Sequence, residues 1–154
     1  MSEVNMEMAR TVYDSVCATL DAMGLKYDKI ENDLVVTLGH RGEDMNHDLI
    51  FIVNAEQEVI QLIERLPYSV DTQKAADVAC AVCLINSRLL VGKFSYDLGE
   101  HISYKVTQVY SGSLIGEETI KRMILALVFS VEEYDDKLMA LSKGYLKVDD
   151  FKED

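Results

Sequence analysis

The sequence predicts an α+β fold in which one antiparallel five-stranded sheet carries helices packed against it. Apolar residues recur at helical spacing in residues 4–23 and again in 117–141. Between these segments, short apolar runs at residues 34–66 are joined by turns, and residues 92–110 alternate in the period of a hairpin. The resulting order, α-β-β-β-α-β-β-α, segregates helices from antiparallel strands, which is the pattern of an α+β domain.

The first helix is predicted over residues 4–23. Met6, Tyr13 and Leu20 lie on one side at three- and four-residue steps, and charged residues occupy most of the other side. Gly24 follows as a C-terminal cap, because glycine tolerates the left-handed conformation that ends a helix.

Three strands follow as an antiparallel meander, after residues 26–31 lead into the sheet. Residues 34–38 are apolar at nearly every position, which predicts burial on both faces or a central position in the sheet, and residues 49–53 are again apolar on both faces. Residues 59–66 contain more charge and are therefore placed nearer a sheet edge. Pro67 ends this third strand, because proline cannot donate to a central ladder.

The middle of the chain, residues 71–110, reads as a helix followed by a hairpin. Asp71 is the predicted N-cap. The helix has a face of small residues that can lie close against a neighbour, namely Ala75, Ala76, Ala79, Cys80 and Cys83. Gly92 precedes the first strand, and Leu98 with Gly99 forms the turn of the hairpin. The inward face of the hairpin carries Phe94, Tyr96 and Tyr104.

The last helix is predicted to start near Gly116, with Glu117 and Glu118 in its first turn, and to end at Gly144. Leu125 and Phe129 widen its apolar stripe until the middle of the helix is apolar almost all round. Such a helix lies deep in the fold or meets a second surface, such as another subunit. We predict a single domain over residues 1–144, with residues 145–154 as a frayed acidic tail.

Composition and charge exclude some classes of function. The 154 residues suffice for one domain, and the net charge of −12 opposes nucleic-acid binding because the 15 Lys and Arg residues are dispersed along the sequence. The longest apolar run, residues 123–129, is too short to cross a membrane. An acidic N-terminal segment without signal-peptide character and three cysteines, an odd number, indicate free thiols in the cytoplasm.

The order of elements and the residues in the middle of the chain resemble the YbjN family, whose members are described as bacterial sensory transduction regulators. The resemblance lies in Leu84-Ile85-Asn86, Gly92-Lys93-Phe94 with the alternating strand after it, Gly99, residues 102–110 and the long helix ending in Glu132-Glu133-Tyr134. That family shares its fold with type III secretion chaperones, which are small, acidic, dimeric proteins that hold unfolded stretches of effectors. The resemblance implies this fold and no catalytic residues.

Two clusters have the residue types of a reactive site. Cys80 and Cys83 have the spacing of a redox pair, but they lie inside a helix and lack a second ligand pair, so burial in the core is the favoured interpretation. The second cluster lies on a hairpin loop and comprises His40, Glu43, Asp44, His47 and Asp48. Its residue types suit a metal, but a solvated turn is favoured.

The remaining candidates are acid pairs and aromatic residues. Glu132/Glu133 and Asp135/Asp136 are adjacent in sequence and face different directions on a helix, which favours exposed, solubilising charge. Phe94, Tyr96 and Tyr104 form either a peptide groove or, as favoured, a core layer under the helices.

We therefore predict a non-enzymatic regulator or chaperone-like domain that binds a protein or peptide, forms a homodimer and needs no cofactor. The interaction residues are predicted to be Leu125, Phe129, Phe94, Tyr96 and Tyr104. An open sheet edge, formed by residues 59–66 or the last hairpin, is a second means of binding. The alternatives are a small-ligand or metal-dependent enzyme using His40 and His47, and a purely structural oligomer.

Overall fold

A computed structural model describes residues 3–153, which form a six-stranded antiparallel sheet and three α-helices. The elements are α1 (Met6–Ala22), β1 (Tyr27–Ile30), β2 (Val35–Arg41), β3 (Asn46–Asn54), β4 (Val59–Arg65), α2 (Ala75–Asn86), β5 (Lys93–Ser95), β6 (Ser103–Val109) and α3 (Glu117–Ser142). Three 3₁₀-helices complete the fold, at Glu31–Asp33, Thr72–Lys74 and Val148–Phe151. Within the described residues, no helix has the length and apolar content that crossing a membrane requires.

The sheet has the strand order β1-β2-β3-β4-β6-β5, and every neighbouring pair is antiparallel. The α+β class is confirmed, but the number of strands is six and not five. The additional strand is β1, which the sequence indicated only as a lead-in. A 3₁₀ turn at Glu31–Asp33, with Leu34 in the left-handed conformation at φ 54°, reverses the chain so that β1 pairs with β2.

The predicted edge position of residues 59–66 is wrong, because β4 lies between β3 and β6. The prediction was based on the charged residues of this strand, but Glu64 points into the protein and is buried against a histidine. Its charge therefore does not mark a solvent-exposed edge. The edges are β1 and β5. Asp71 does cap a helix, but the capped element is the 3₁₀-helix Thr72–Lys74 that precedes α2.

Burial alternates along β2 and β3, so their two faces are not both buried. The alternative prediction for residues 34–38, a central position in the sheet, agrees with the place of β2 between β1 and β3. Val36, Leu49 and Phe51 point into the core, whereas Ile50 and Ile52 face outward and keep some exposure. The sheet therefore buries one face under the helices, which contact β3, β4, β5 and β6. The opposite face remains open to solvent and partly apolar.

Helix α3 is the central helix of the helical layer, because it contacts α1, α2, β4 and β6. Its buried side chains repeat at helical spacing and include Ile120, Ile124, Leu127, Val131 and Leu138. The residues on the far side of the helix leave the core. Leu125 is 48% exposed and Phe129 is 65% exposed.

Helix α2 is fastened to the edge strand β5 by one side chain. The amide of Asn86 donates to the Phe94 carbonyl and accepts from the Phe94 N–H, both at 2.9 Å, so it pairs with the backbone as a neighbouring strand would. Gly92, at φ +75°, lies so close to the Tyr104 ring that a Cβ would come within 2.6 Å of the phenol oxygen. These contacts explain the structural roles of Asn86 and of the Gly92-Lys93-Phe94 segment.

The segment after α3 does not fray as the sequence indicated. The 3₁₀-helix Val148–Phe151 packs on α2, and Phe151 is 2% exposed. The Arg88 guanidinium donates to the Phe151 carbonyl and forms a salt bridge with Glu153 at 3.1 Å. The division of the domain at residue 144 stays a prediction.

Candidate functional site

A buried histidine between two carboxylates lies where the sheet meets α3. His47 on β3 and Glu64 on β4 both occupy inward-facing strand positions, and Glu132 reaches them from α3. The Nδ1 atom of His47 lies 2.8 Å from Glu64 Oε2, and its Nε2 atom lies 3.0 Å from Glu132 Oε1. The side chain of His47 is fully buried, and those of Glu64 and Glu132 are 2% and 10% exposed.

The electrostatics of this cluster favour a charged imidazole. Burial by itself lowers the pKa of His47, but the hydrogen bonds and negative charges of Glu64 and Glu132 outweigh burial and raise that pKa above its ordinary value. Burial alone would raise the pKa of Glu132, but hydrogen bonds from His47 and from backbone N–H groups lower it. Since both ring nitrogens face carboxylates, the protonated imidazole can donate to both.

Glu132 also holds the loop between β2 and β3. Its carboxylate accepts from the backbone N–H groups of Glu43 and Asp44, each at 3.3 Å. Gly42 provides the room for this contact, because a Cβ at that position would come within 1.7 Å of Glu132 Oε1. One carboxylate therefore joins the loop, the sheet and the last helix.

His40 lies beside this cluster without joining it. The rings of His40 and His47 are 6.5 Å apart and tilted by 39°, and the buried Nδ1 of His40 has no hydrogen-bond partner among the described residues. Burial and the neighbouring charge of His47 lower the pKa of His40, although Glu132 opposes this shift. Within residues 3–153, no three or more His, Cys, Asp or Glu side chains are arranged to hold a metal ion.

The sequence interpretation of these polar residues is therefore partly wrong. His47 was assigned to a solvated turn and Glu132 to exposed charge, yet both side chains are buried or nearly so, since they neutralise each other. Glu43, Asp44 and Asp48 are exposed as predicted. Both ring nitrogens of His47 are occupied by carboxylates, so the cluster of His47, Glu64 and Glu132 is an ion network. Because Glu132 lies on α3, this network positions that helix against the sheet.

The two cysteines of α2 are not in the core, which corrects the sequence prediction. Cys80 and Cys83 are exposed, together with Ala76 and Ser87 on the same face of the helix. The core-facing residues of α2 are Val78, Ala81, Val82 and Ile85. The low polarity of cysteine and alanine gave no indication of which side faces inward.

An apolar groove lies between α3 and the segment that connects α2 to β5. We call it the α3 groove, and the side chains that define it are Arg88, Leu90, Val91, Arg122, Leu125 and Phe129. Its volume is about 420 Å³. Leu90 is 99% exposed, so this groove presents large apolar side chains that nothing in the described chain covers.

Of the predicted interaction residues, only Leu125 and Phe129 lie in the α3 groove. Phe94 and Tyr104 are core residues, 3% and 0% exposed, with their rings edge to face at 4.9 Å. Tyr96 is partly buried and donates from its hydroxyl to the Gly99 carbonyl. The Tyr104 hydroxyl bonds to the Val91 carbonyl and Ser130, so these aromatic residues support the groove from below.

Sequence reasoning missed Leu90, Val91 and Arg122 as parts of this groove. One signal was present: residues 89–91 are three consecutive apolar residues just after the end of a helix and before a strand, where a connecting segment is ordinarily polar. Arg122 carried no such signal. Only the rotation of α3 in the fold places it beside Leu125.

Comparisons with known proteins identify the family and the fold of this chain. The sequence profile described as "Putative bacterial sensory transduction regulator", YbjN, matches residues 13–139. The fold is that of a small α+β protein of the type III secretion chaperone-like class. The chain belongs to the YbjN family, which confirms the resemblance drawn from its residues. None of the curated proteins matches the chain.

Two solved structures share the fold at low sequence identity. The crystal structure of YbjN from E. coli is 13% identical with a TM-score of 0.60, over 80% of this chain and 91% of that one. A chain of the ExsC–ExsE complex is 12% identical with a TM-score of 0.54, over 89% of this chain and 97% of that one. At such identity the similarity establishes the fold alone.

Proposed function

We propose that this protein is a non-enzymatic regulator or chaperone-like domain that binds a protein or peptide partner in the α3 groove. The observation that carries this proposal is the group of four exposed apolar side chains, Leu90, Val91, Leu125 and Phe129, around one concave surface. Exposed large apolar side chains gathered in a groove are typical of protein-binding sites.

The comparisons support this class of function. The chain belongs to a family described as sensory transduction regulators, and it shares its fold with a protein crystallised as the ExsC–ExsE complex. The ionisable side chains agree with a non-catalytic role. The most buried of them, His47 and Glu64, bind each other instead of facing a cleft.

The proposal includes a homodimer in the cytoplasm. A dimer is supported by the exposed face of α2, where Ala76, Cys80, Cys83 and Ser87 repeat at helical spacing and leave room for a close neighbour. Light scattering of the purified chain at micromolar concentration tests the dimer. The cytoplasm is supported by three free thiols, because thiols persist in a reducing compartment.

The test of partner binding replaces Phe129 with Glu and uses Tyr145→Glu as the matched control. Tyr145 is 80% exposed and lies beyond the end of α3, so both variants add one charge at an exposed aromatic position. Proteins that co-purify with the wild-type chain from its native cells, identified by mass spectrometry, should be lost from Phe129→Glu and kept by Tyr145→Glu. Circular dichroism should show the same helicity in all three proteins.

Two results would contradict the proposal. Co-purifying proteins that stay bound to Phe129→Glu would remove the groove from the binding surface. A turnover activity that Phe129→Glu leaves intact would place the function elsewhere in the molecule.

A further inference from the structure

We infer that the partner segment in the α3 groove is acidic and amphipathic, with apolar side chains on Leu90, Leu125 and Phe129 and carboxylates on the basic residues at the rim. This inference rests on the proposed function and specifies the chemistry of the partner. It follows from the charges around the groove, which differ in sign from those of the chain as a whole.

The two ionisable side chains that line the groove are both arginines, although the chain has a net charge of −12. Arg88 and Arg122 stand on its two sides, one after α2 and one on α3. Arg122 is exposed and forms no salt bridge with any of residues 3–153, whereas its neighbour Lys121 is held by Glu117 at 2.5 Å. A free guanidinium beside exposed leucine and phenylalanine is suited to a carboxylate carried on an apolar segment.

The positive charge continues along the adjacent sheet edge. Lys93 on β5 and Lys105 on β6 are paired directly across the strands, and both are exposed. Neither lysine has a salt bridge among the described residues. Like charges directly opposite each other destabilise a strand pair, and an anionic partner covering them would remove that cost. Both lysines alternate with the buried Phe94 and Tyr104, so they project from the sheet face opposite the helices, and a segment in the groove reaches them only around the β5 edge.

At one side of the groove, the protein already binds a segment that carries an aromatic ring and a carboxylate. Its own C-terminal segment buries the Phe151 ring, while Glu153 lies on Arg88 at 3.1 Å and the Phe151 carbonyl accepts from the same guanidinium. An aromatic residue two positions before an acidic one is thus held by an arginine of the groove. The free Arg122 offers the same contact on the opposite side.

Charge complementarity also decides against other occupants. In the proposed dimer a second copy occupies the exposed face of α2, which leaves the α3 groove for a different occupant. A nucleic acid would meet electrostatic repulsion between its phosphate backbone and the net charge of −12. A short acidic segment brings few charges close to the rest of the surface and places them beside Arg122, the arginine of the groove that has no salt bridge among the described residues.

The experiment measures fluorescence anisotropy with a labelled synthetic peptide of four helical turns, about 15 residues. One face of the peptide carries leucine and phenylalanine, and the other carries glutamate. A second peptide has every glutamate replaced by lysine, and a third has the same composition in scrambled order. Each is titrated with the full chain at about 50 mM and about 300 mM salt.

The acidic amphipathic peptide should bind, and the lysine and scrambled peptides should bind at least about tenfold more weakly. Arg122→Glu and Phe129→Ser should each weaken binding by about tenfold. Lys143→Glu is the control for charge, because Lys143 is exposed at the C-terminal end of α3. It should change the affinity by less than about twofold. Higher salt should weaken the wild-type complex and have less effect on that of Arg122→Glu.

Equal or tighter binding of the lysine peptide would overturn the inference. If Phe129→Ser nevertheless weakened that binding, the groove would remain a docking surface and only the acidic chemistry would fail. Binding of a fluorescent oligonucleotide that Arg122→Glu abolishes, without binding of the acidic peptide, would also overturn it. So would a dimer, seen by light scattering, that Arg122→Glu dissociates while no peptide binds.

Discussion

His47 on β3 and Glu132 on α3 lie 3.0 Å apart although 85 residues separate them in the sequence. Their contact, together with Glu64, is a buried polar link between the sheet and the last helix, in a largely apolar core that also buries the hydroxyls of Thr19 and Ser142. The helix that presents Leu125 and Phe129 is therefore positioned by charge as well as by packing.

Removing the Glu132 carboxylate should strongly destabilise the protein. Glu132→Ala leaves the charged His47 with one carboxylate and two loop N–H groups without an acceptor, so we expect a loss of about 3 kcal/mol in the free energy of unfolding. Urea denaturation at pH 7 measures this. Glu133→Ala is the matched control, because that neighbour is exposed, and should cost less than about 0.5 kcal/mol. Equal losses would contradict a structural role for the cluster.

The two histidines should titrate on opposite sides of the ordinary value of 6.5. The pKa of His47 is raised despite burial, because Glu64 and Glu132 stabilise its charge, and the pKa of His40 is lowered by burial and by His47. NMR titration of the two imidazole rings measures both values. His40→Gln is the control, and the pKa of His47 should stay above 6.5 in that variant.

The stability that His47 contributes should depend on pH. Because its native pKa lies above the unfolded value of 6.5, this contribution is fully present below pH 6.5 and decreases as the pH rises through the native pKa. Glu132 has a native pKa below 4.5, so its part is lost as the pH falls from 4.5 through that pKa. The difference in unfolding free energy between wild type and His47→Gln should therefore be largest between pH 4.5 and 6.5. A difference that grows above pH 6.5 would refute the assignment.

Gly42 should not tolerate a side chain. In Gly42→Ala the new Cβ would meet Glu132 Oε1 at 1.7 Å and His47 Nε2 at 2.8 Å, so the carboxylate must move away from the histidine. We expect a loss of about 2 kcal/mol, in the range of overpacked interiors. Gly39→Ala, three residues earlier on β2, is the control, because its Cβ finds nothing closer than 4.0 Å and the substitution should cost less than about 0.5 kcal/mol. Thermal unfolding compares the two.

Asn86→Ala should loosen the edge of the sheet next to the groove. The substitution removes both hydrogen bonds to the Phe94 backbone, one donated and one accepted, and we expect a loss of about 2 kcal/mol. Hydrogen exchange should quicken at the Phe94 N–H. Asn32→Ala, at an exposed position of the first 3₁₀ turn, should leave both the stability and that exchange rate unchanged.

The helices and the general class of the fold were predictable because their signals are local. The stripe of α3 and the glycine that ends it are read directly from the sequence, and Gly144 has the left-handed φ of +84° that such an end requires. The strand β1 was not recognised as a full strand because Tyr27–Ile30 is short and mostly exposed, so it has little apolar pattern. The errors at β4 and at Cys80 arose where a residue's environment depends on partners far away in the chain.

The residues of the candidate site were also hard to predict, because their environments depend on partners far away in the sequence. His47 and Glu64 look like surface residues in a sequence, since charge is costly in a core unless a partner is supplied. The partner, Glu132, comes from a helix 85 residues later than His47. Likewise, exposed Leu125 and Phe129 were visible as excess apolar residues, whereas Leu90 and Arg122 joined them only through the packing of α2 and α3.

The outer strands of the sheet, β1 with four residues and β5 with three, set a limit on how a partner can be held. On β5 the outward backbone groups of Phe94 are already taken by Asn86. A polypeptide lying alongside either strand would gain only a couple of main-chain bonds, so its side chains must supply most of the affinity. N-methylation of a bound peptide should consequently be tolerated at most positions, whereas exchange of a single anchoring side chain should not.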